Sequence, residues 1–333
     1  MKAAYYEKTG RAKDVLKIGK FDSPKLGNNE VLILLKYSGI NPSDVKKRMG
    51  WQNKKMDFPL IIPHSDGSGE IVDVGKNISK EYIGKKVWIW TAQGGYNDIG
   101  RAFGTAAEFI TVPLDKFYEL PRNLSFAEGA CLGVPAMTAY DAVFFNSDIE
   151  NKTVLVQGAG GVVGHFAVQF VKVSGGNVIA SVGSKKREKH AKDAGAKYIF
   201  NRHDNNFINN ILDATNGKGV DQIIEIDFGK NIDIITKVLK PNGLISSYSS
   251  TGNPNPIFPY YKFASKGCKI SIIQSFNFSK KTRENCCKFI EKISDTNNIK
   301  VPIGKILPLD DIISAHELVE NKETIGNVVL EIN

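Results

Sequence analysis

Two rhythms of apolar residues divide the chain. Up to about residue 120, short apolar runs are punctuated by Gly, Pro and Asn. EVLILLKYSGI (Glu30–Ile40), GEIVDVG (Gly69–Gly75), KKVWIW and AAEFITV are strand-like. They predict a mainly antiparallel, barrel-like domain. Near Pro121 the rhythm changes. SFAEGACLGVPAMTAYDAVF reads as one helix, with Ser125 as N-cap and Glu128 three residues on, the spacing of a capping box. Apolar strands then alternate with amphipathic segments: TVLVQ, NVIASV, YIFN, VDQIIEID and LISSYS. That βαβ alternation predicts an α/β, doubly wound parallel sheet. From Lys269 come KISIIQSF, a helical SKKTRENCCKFIEKIS and a terminal strand GNVVLEIN.

The richest stretch starts at Lys152: KTVLVQGAGGVVGHFAVQFVKV. TVLVQ reads as a buried strand. GVVGHFAVQFVKV reads as a helix with Val163, Phe166, Ala167, Phe170 and Val171 on one face. The glycines therefore lie at a strand-to-helix turn, where the chain bends sharply and a ligand can approach the backbone. The N–H groups over Ala159, Gly160, Gly161, Val162 and Val163 predict a diphosphate site at the helix start. Counted back from Gly164, the dinucleotide pattern GxGxxG needs glycine at 161 and 159, and position 159 is alanine. A tight turn without a ligand is the alternative. The strand before, the helix after and a second strand at βαβ distance favour the dinucleotide.

The second strand decides between two forms of that dinucleotide. An NAD site places an acid near the strand's end to hold the ribose hydroxyls. From Val178 to Arg187 there is no carboxylate; Ser184, Lys185, Lys186 and Arg187 stand there instead. A hydroxyl with basic neighbours suits a 2′-phosphate, which arginine grips in a fork. NADPH is the expected cofactor.

Bulk properties narrow the class. At 333 residues the chain exceeds one ordinary core, so two domains are expected. No run of eighteen apolar residues spans a membrane, and the N-terminus has no secretory h-region. Cys131, Cys268, Cys286 and Cys287 form no CxxC pair, which fits a reducing, cytoplasmic setting and argues against a structural zinc lobe. The formal charge of +9 comes from scattered lysines without a long basic block. It reads as surface background rather than a nucleic-acid site.

The segments NPSDVKKRMG, IPHSDGSGEIVDVG, FGTAAEFITVP, GACLGVPAMTAYDAV, VLVQGAGGVVGHFAVQF and KGVDQIIEI occur in the order and at the separations of a known family. Over nearly its whole length the chain resembles the quinone oxidoreductases, zeta-crystallin-like, zinc-independent members of the medium-chain dehydrogenase/reductase superfamily. The resemblance implies a mainly-β GroES-like catalytic domain built from residues 1–122 and 269–333. It implies a Rossmann-type dinucleotide-binding domain, residues 123–268, inserted between them. It also implies NADPH, a quinone or enone substrate, and a homodimer in which a strand such as KISIIQSF pairs across the two-fold.

Zinc-dependent relatives hold a catalytic metal with Cys, His and Cys. Aligned on Gly50, Gly69 and Gly133, those positions are Asn41, Ser65 and Val134 here, so no metal is expected. His64 lies one residue out of frame, where the family often has glycine. With Asp66 alone it makes a poor zinc site, and it is expected to line the pocket or pack beneath the loop. Cys131 reads as a buried helix residue rather than a nucleophile.

The resemblance also places site residues. NPSDVKKRMGW sits where relatives line the nicotinamide pocket. There Asn41 is the first choice as a polar contact, Ser43 is a candidate hydroxyl donor, and Trp51 walls the pocket or packs in the core. Asp44 and Arg48 have the i,i+4 spacing of an ion pair that would shape the loop. Where relatives often carry tyrosine, this chain has Lys46. Thr138 matches a threonine near the nicotinamide carboxamide. Tyr248, Ser249 and Ser250 follow the strand whose end meets the nicotinamide, and Arg202 falls at an adenosine-phosphate contact. The expected activity is NADPH-dependent reduction of quinones. Reduction of the C=C bond of α,β-unsaturated carbonyls is the near alternative. An RNA-binding or structural, crystallin-like role is the distant one.

Overall fold

The computed structural model describes residues 1–51, 55–94, 100–145, 148–296 and 299–332. Its contacts divide the chain into two units. The first holds Met1–Pro135, Phe276–Asn297 and Val301–Asn333; the second holds Ala136–Ser275 with Asn298–Lys300.

The N-terminal segment carries β1 (Lys2–Tyr5), α1 (Ala12–Val15), β2 (Lys17–Lys20), β3 (Glu30–Ile40), α2 (Pro42–Met49), β4 (Asp66–Val74), β5 (Lys86–Ile89), β6 (Phe109–Pro113), β7 (Phe117–Glu119) and α3 (Phe126–Gly129). After α4 (Gly133–Phe144) come β8 (Thr153–Val156), α5 (Val162–Val173), β9 (Asn177–Val182), α6 (Lys185–Asp193), β10 (Tyr198–Asn201), α7 (Phe207–Ala214), β11 (Val220–Glu225), α8 (Phe228–Val238), β12 (Leu239–Ser247), α9 (Tyr260–Ala264) and β13 (Lys269–Ile272). The chain closes with α10 (Lys280–Asp295), β14 (Ile303–Pro308), α11 (Ile312–Glu320) and β15 (Asn327–Glu331).

In the first unit, β3 is the spine. Its alternate residues Val31, Ile33 and Leu35 are fully buried, the period of two that a strand imposes. They pack with Ile71, Val87 and Ile110 from neighbouring strands. The sheet runs β14-β15-β3-β4-β5-β7, with β6 also on β3. Every pairing is antiparallel except β14 with β15. A separate antiparallel pair, β1 and β2, completes the mainly-β unit.

The second unit is a parallel sheet in the order β10-β9-β8-β11-β12-β13. The order reverses beside β8, the strand that leads into the glycine turn, as in a Rossmann fold. On α5, Phe166, Ala167, Phe170 and Val171 are fully buried, while Val163 is half-buried.

Two expectations need correction. The single helix over 125–144 is two helices. Ser125 and Glu128 do form a capping box, but the chain kinks after Gly129. There the carbonyl of Ala130 packs so tightly on Gly39 of β3 that a Cβ at 39 would lie 2.0 Å from it. The resemblance puts KISIIQSF in the catalytic domain, resuming at residue 269. Instead β13 extends the Rossmann sheet, because Leu244–Ser247 of β12 pair in parallel register with Lys269–Ile272.

Candidate functional site

In the first unit the three positions that hold zinc in relatives surround Asp66. Asn41 Nδ2 donates to Asp66 Oδ2 at 2.7 Å, and the Val134 backbone N–H donates to the same oxygen at 2.7 Å. The kink before α4 makes this contact. Gly133 opens α4 directly over the carboxyl, and a Cβ there would fall 2.1 Å from Asp66 Oδ1. Asp66 therefore sits at a helix N-terminus, where orphan N–H groups and the dipole favour an oxygen ligand. Ser65 Oγ turns to Asp44 Oδ1 at 3.2 Å, and Asp44 Oδ2 accepts from the Asn41 N–H at 2.8 Å. Burial pushes Asp44 up to about 6. Burial and then the charge of Asp44 push Asp66 up to about 8.

A chain of hydrogen bonds runs beneath the cluster. Thr105 Oγ1 donates to the Asp66 carbonyl at 2.5 Å, which uses its only hydrogen. Ser38 Oγ, 2.7 Å from Thr105 Oγ1, must then donate to it. Ser38 therefore accepts from His64 Nδ1 at 2.8 Å, leaving His64 Nε2 to accept from His316 Nε2 at 2.9 Å. Donor counting thus fixes both tautomers. Both rings are fully buried. Burial pushes His64 down to about 3, and burial and then His64 push His316 well below the usual histidine range. His64 has φ +80, a conformation that favours glycine, and these bonds hold it there.

The expected Asp44–Arg48 ion pair does not form. Arg48 is fully buried and its Nη2 pairs with Glu320 Oε2 of α11 at 2.7 Å, while Nη1 donates to the Gly10 carbonyl. Asp44 is turned the other way by the capping of α2. Ser43 Oγ is buried without a partner. Trp51 is not packed in the core of this unit: it is 42% exposed, with Lys46 Nζ 4.6 Å from its ring centroid.

In the second unit the glycine turn forms a cradle. Gly161 caps α5 with no side chain to satisfy the first-turn N–H groups. Gly158 has φ +68, and a Cβ on Gly164 would lie 2.4 Å from the Gly158 carbonyl. Ala159 is fully buried, so its methyl points away from the cradle's open side. Arg187 Nη1 donates to the Gly160 carbonyl at 2.7 Å, and Ser184 Oγ caps α6 by accepting from the Arg187 N–H. Lys185 is exposed beside them. The Arg202 guanidinium lies over Gly183, where a Cβ would meet its Nε at 3.3 Å. Ser184, Arg187 and Arg202 therefore gather at the carboxyl ends of β9 and β10. These residues and the uncapped α5 start fit a dinucleotide with an added phosphate.

The remaining candidates differ in character. Thr138 is buried in α4. The Tyr248 hydroxyl is buried without a partner. Ser249 Oγ bonds Thr251 Oγ1 at 3.0 Å. Ser250 is committed to the loop: its Oγ accepts from Gly229 N–H at 2.9 Å and donates to the Asn253 carbonyl at 2.6 Å.

Residues 27–122 match the family model described as alcohol dehydrogenase GroES-like domain, and residues 162–292 the one described as zinc-binding dehydrogenase. The quinone oxidoreductase of Rattus norvegicus is 30% identical over 310 residues, covering 92% of this chain and 90% of that protein. The chain belongs to the quinone oxidoreductase family of the medium-chain dehydrogenase/reductases. In fold it resembles an NAD-dependent alcohol dehydrogenase (TM-score 0.88, 25% identity) and the Escherichia coli quinone oxidoreductase complexed with NADPH (TM-score 0.86, 21% identity). Both likenesses cover the full length of each chain.

A zinc ion does not fit the equivalent positions in this family member. Asn41 presents an N–H to Asp66, Ser65 gives its hydroxyl to Asp44, and Val134 offers only a backbone N–H. No thiolate or imidazole stands at the three positions. Sequence reasoning missed Glu320 and His316, four residues apart on α11, because nothing local ties them to α2 or the His64 turn. It also missed Glu225, whose burial at the end of β11 only the sheet order reveals.

Proposed function

We propose that this family member is an NADPH-dependent, zinc-independent reductase of quinones. The observation that carries this reading is the acid-free end of β9, with Ser184, Arg187 and Arg202 gathered beside the glycine cradle. NADPH, when bound, supplies a hydride. The chain's own task is then to position and to exclude water. Uncapped N–H groups of α5 hold the diphosphate, and Arg187 and Ser184 hold the 2′-phosphate. Thr138, Tyr248 and Ser249 serve the nicotinamide half. Asn41, fixed by Asp66, keeps a second amide hydrogen for the oxygen of the acceptor, where negative charge develops. Ser43 lies two residues on in α2, with its hydroxyl unspent.

The active form is proposed to be a homodimer, since Ile272 on the edge strand β13 is 74% exposed and Tyr261 of α9 is 84% exposed. Cys131, Cys286 and Cys287 are buried free thiols, which fits a cytoplasmic setting. No helix among the described residues is long and apolar enough to cross a membrane. The test is NADPH oxidation against 1,4-quinones and enones in parallel. Faster turnover of quinones supports the reading, and turnover of enones alone supports C=C reduction instead. Turnover of neither class, with tight RNA binding at physiological salt, removes the enzyme reading.

A further inference from the structure

Three neighbouring strands of the parallel sheet end in a polar side chain with a buried, unused atom. Gln157 follows β8, Glu225 ends β11 and Tyr248 follows β12. The backbone sets them side by side: Gln157 N–H donates to the Ile224 carbonyl at 2.9 Å, and Tyr248 N–H to the Glu225 carbonyl at 3.1 Å. Glu225 is fully buried. Its Oε1 accepts from Asp227 N–H at 2.6 Å and from Asn231 Nδ2 of α8 at 2.8 Å. Its Oε2, the Tyr248 hydroxyl and the Gln157 amide nitrogen have no partner.

A bare carboxylate oxygen in a dry site is costly, so such a group rests close to its neutral form. Burial pushes Glu225 up to about 7 against the lowering pull of the Asp227 N–H and Asn231 bonds, with the charge of Asp227 adding a smaller push upward. The titratable groups that face it are Asp227 on the β11–α8 connection and Tyr248 just after β12; α8 contributes the neutral Asn231. Burial and Glu225 push the Tyr248 hydroxyl far above neutrality. Glu225 is therefore the member that can change charge near pH 7.

Position gives this charge a purpose. A dinucleotide on this strand order lies across the carboxyl ends and crosses at β8. Its adenosine half belongs over β9 and β10, so its nicotinamide half belongs over β11 and β12. That ring is cationic when oxidised and neutral when reduced. Resting on the nicotinamide-cofactor reading, we propose that Glu225 carries a proton linked to the redox state of the bound cofactor. Below pH 7 Glu225 is neutral in the free protein and with NADPH, and ionised with NADP+. Binding NADP+ then releases that proton to solvent. Glu225 acts through the field it exerts on the ring, as a tuning and positioning residue.

The full chain, stripped of cofactor, is titrated calorimetrically with NADP+ and with NADPH at pH 6 and pH 8, in buffers of different ionisation enthalpy. NADP+ should release close to one proton more than NADPH at pH 6, and few more at pH 8. The ratio of the NADP+ to the NADPH dissociation constant should rise about tenfold from pH 8 to pH 6. The 2′-phosphate titrates in both ligands and cancels in that ratio. Glu225→Gln keeps both bonds to Oε1 and should abolish the excess release with NADP+ and the pH dependence of the ratio. Asp227→Asn, which removes the facing charge, should move the break to lower pH. A pH-independent ratio in the wild type overturns the proposal, as does an unchanged dependence in Glu225→Gln. Failure of both cofactors to bind overturns the nicotinamide reading and the proposal together; binding of both with a flat ratio overturns Glu225 alone.

Discussion

Arg187 donates through Nη1 to the carbonyl of Gly160 at 2.7 Å, tying the first turn of α6 to the glycine turn before α5. A Cβ on Gly160 would lie 2.4 Å from the Cβ of Arg187. Gly160→Ala should therefore displace Arg187 as well as crowd the turn. Overpacking of this kind costs about 1–3 kcal/mol. Thermal unfolding should show a lower Tm, and NADPH affinity should fall about tenfold or more with the loss of a charge-assisted contact. A variant with unchanged Tm and NADPH affinity would mean that the two elements are not coupled.

The buried acids predict the pH dependence of stability. Asp66 is pushed up to about 8 and Glu225 to about 7, while the unfolded chain ionises both near pH 4. Between those limits the folded state holds the extra proton, so stability falls as pH rises, by about 1.4 kcal/mol per unit for each group. Buried His64 and His165, both pushed down to about 3, act in the opposite direction. Their effect is confined to pH below about 6.5, where unfolded histidine gains a proton. From pH 6.5 to 8 the carboxyls dominate, and the urea midpoint should fall. Asp66→Asn should flatten that slope; a midpoint that rises over this window contradicts the assignment.

Much of this was legible in the sequence because it is local. The glycine turn, the capping box at Ser125 and the acid-free end of β9 each depend on residues a few positions apart. What was not legible depends on tertiary partners. The i,i+4 spacing of Asp44 and Arg48 suggested a pair. Capping of α2 claimed the acid, and Glu320, 272 residues away, claimed the arginine. Asn41 was readable as a polar group in the right loop, but not as one fixed by Asp66. The edge strand β13 was readable as a strand, yet its sheet was decided by register against β12.

Metal independence is the next expectation. Asn41 and Val134 direct hydrogens at Asp66 and Ser65 directs its hydrogen at Asp44, and none of the three offers a thiolate or an imidazole. Elemental analysis of the purified chain should find far less than one zinc per chain, and chelator should leave turnover with quinones unchanged. A stoichiometric zinc lost together with activity would reverse this reading.

The edge of the second unit predicts assembly. Ile257 is 92% exposed and Ile272 74% exposed, on a loop and a strand edge with free pairing capacity. Light scattering should find a dimer, and Ile272→Asp should shift it to monomer without lowering Tm by more than a few degrees. A wild-type monomer at micromolar concentration would contradict the proposed two-fold.

The central claim is that the end of β9 selects the phosphorylated cofactor. Fluorescence titration of the wild type with NADPH and NADH tests it most directly. Two charge-assisted contacts, at about 1.5–3 kcal/mol each, predict that NADPH binds more tightly than NADH by about a hundredfold or more. Ser184→Ala with Arg187→Ala should remove most of that advantage while changing NADH affinity little. Equal affinity of the wild type for the two cofactors would contradict the account.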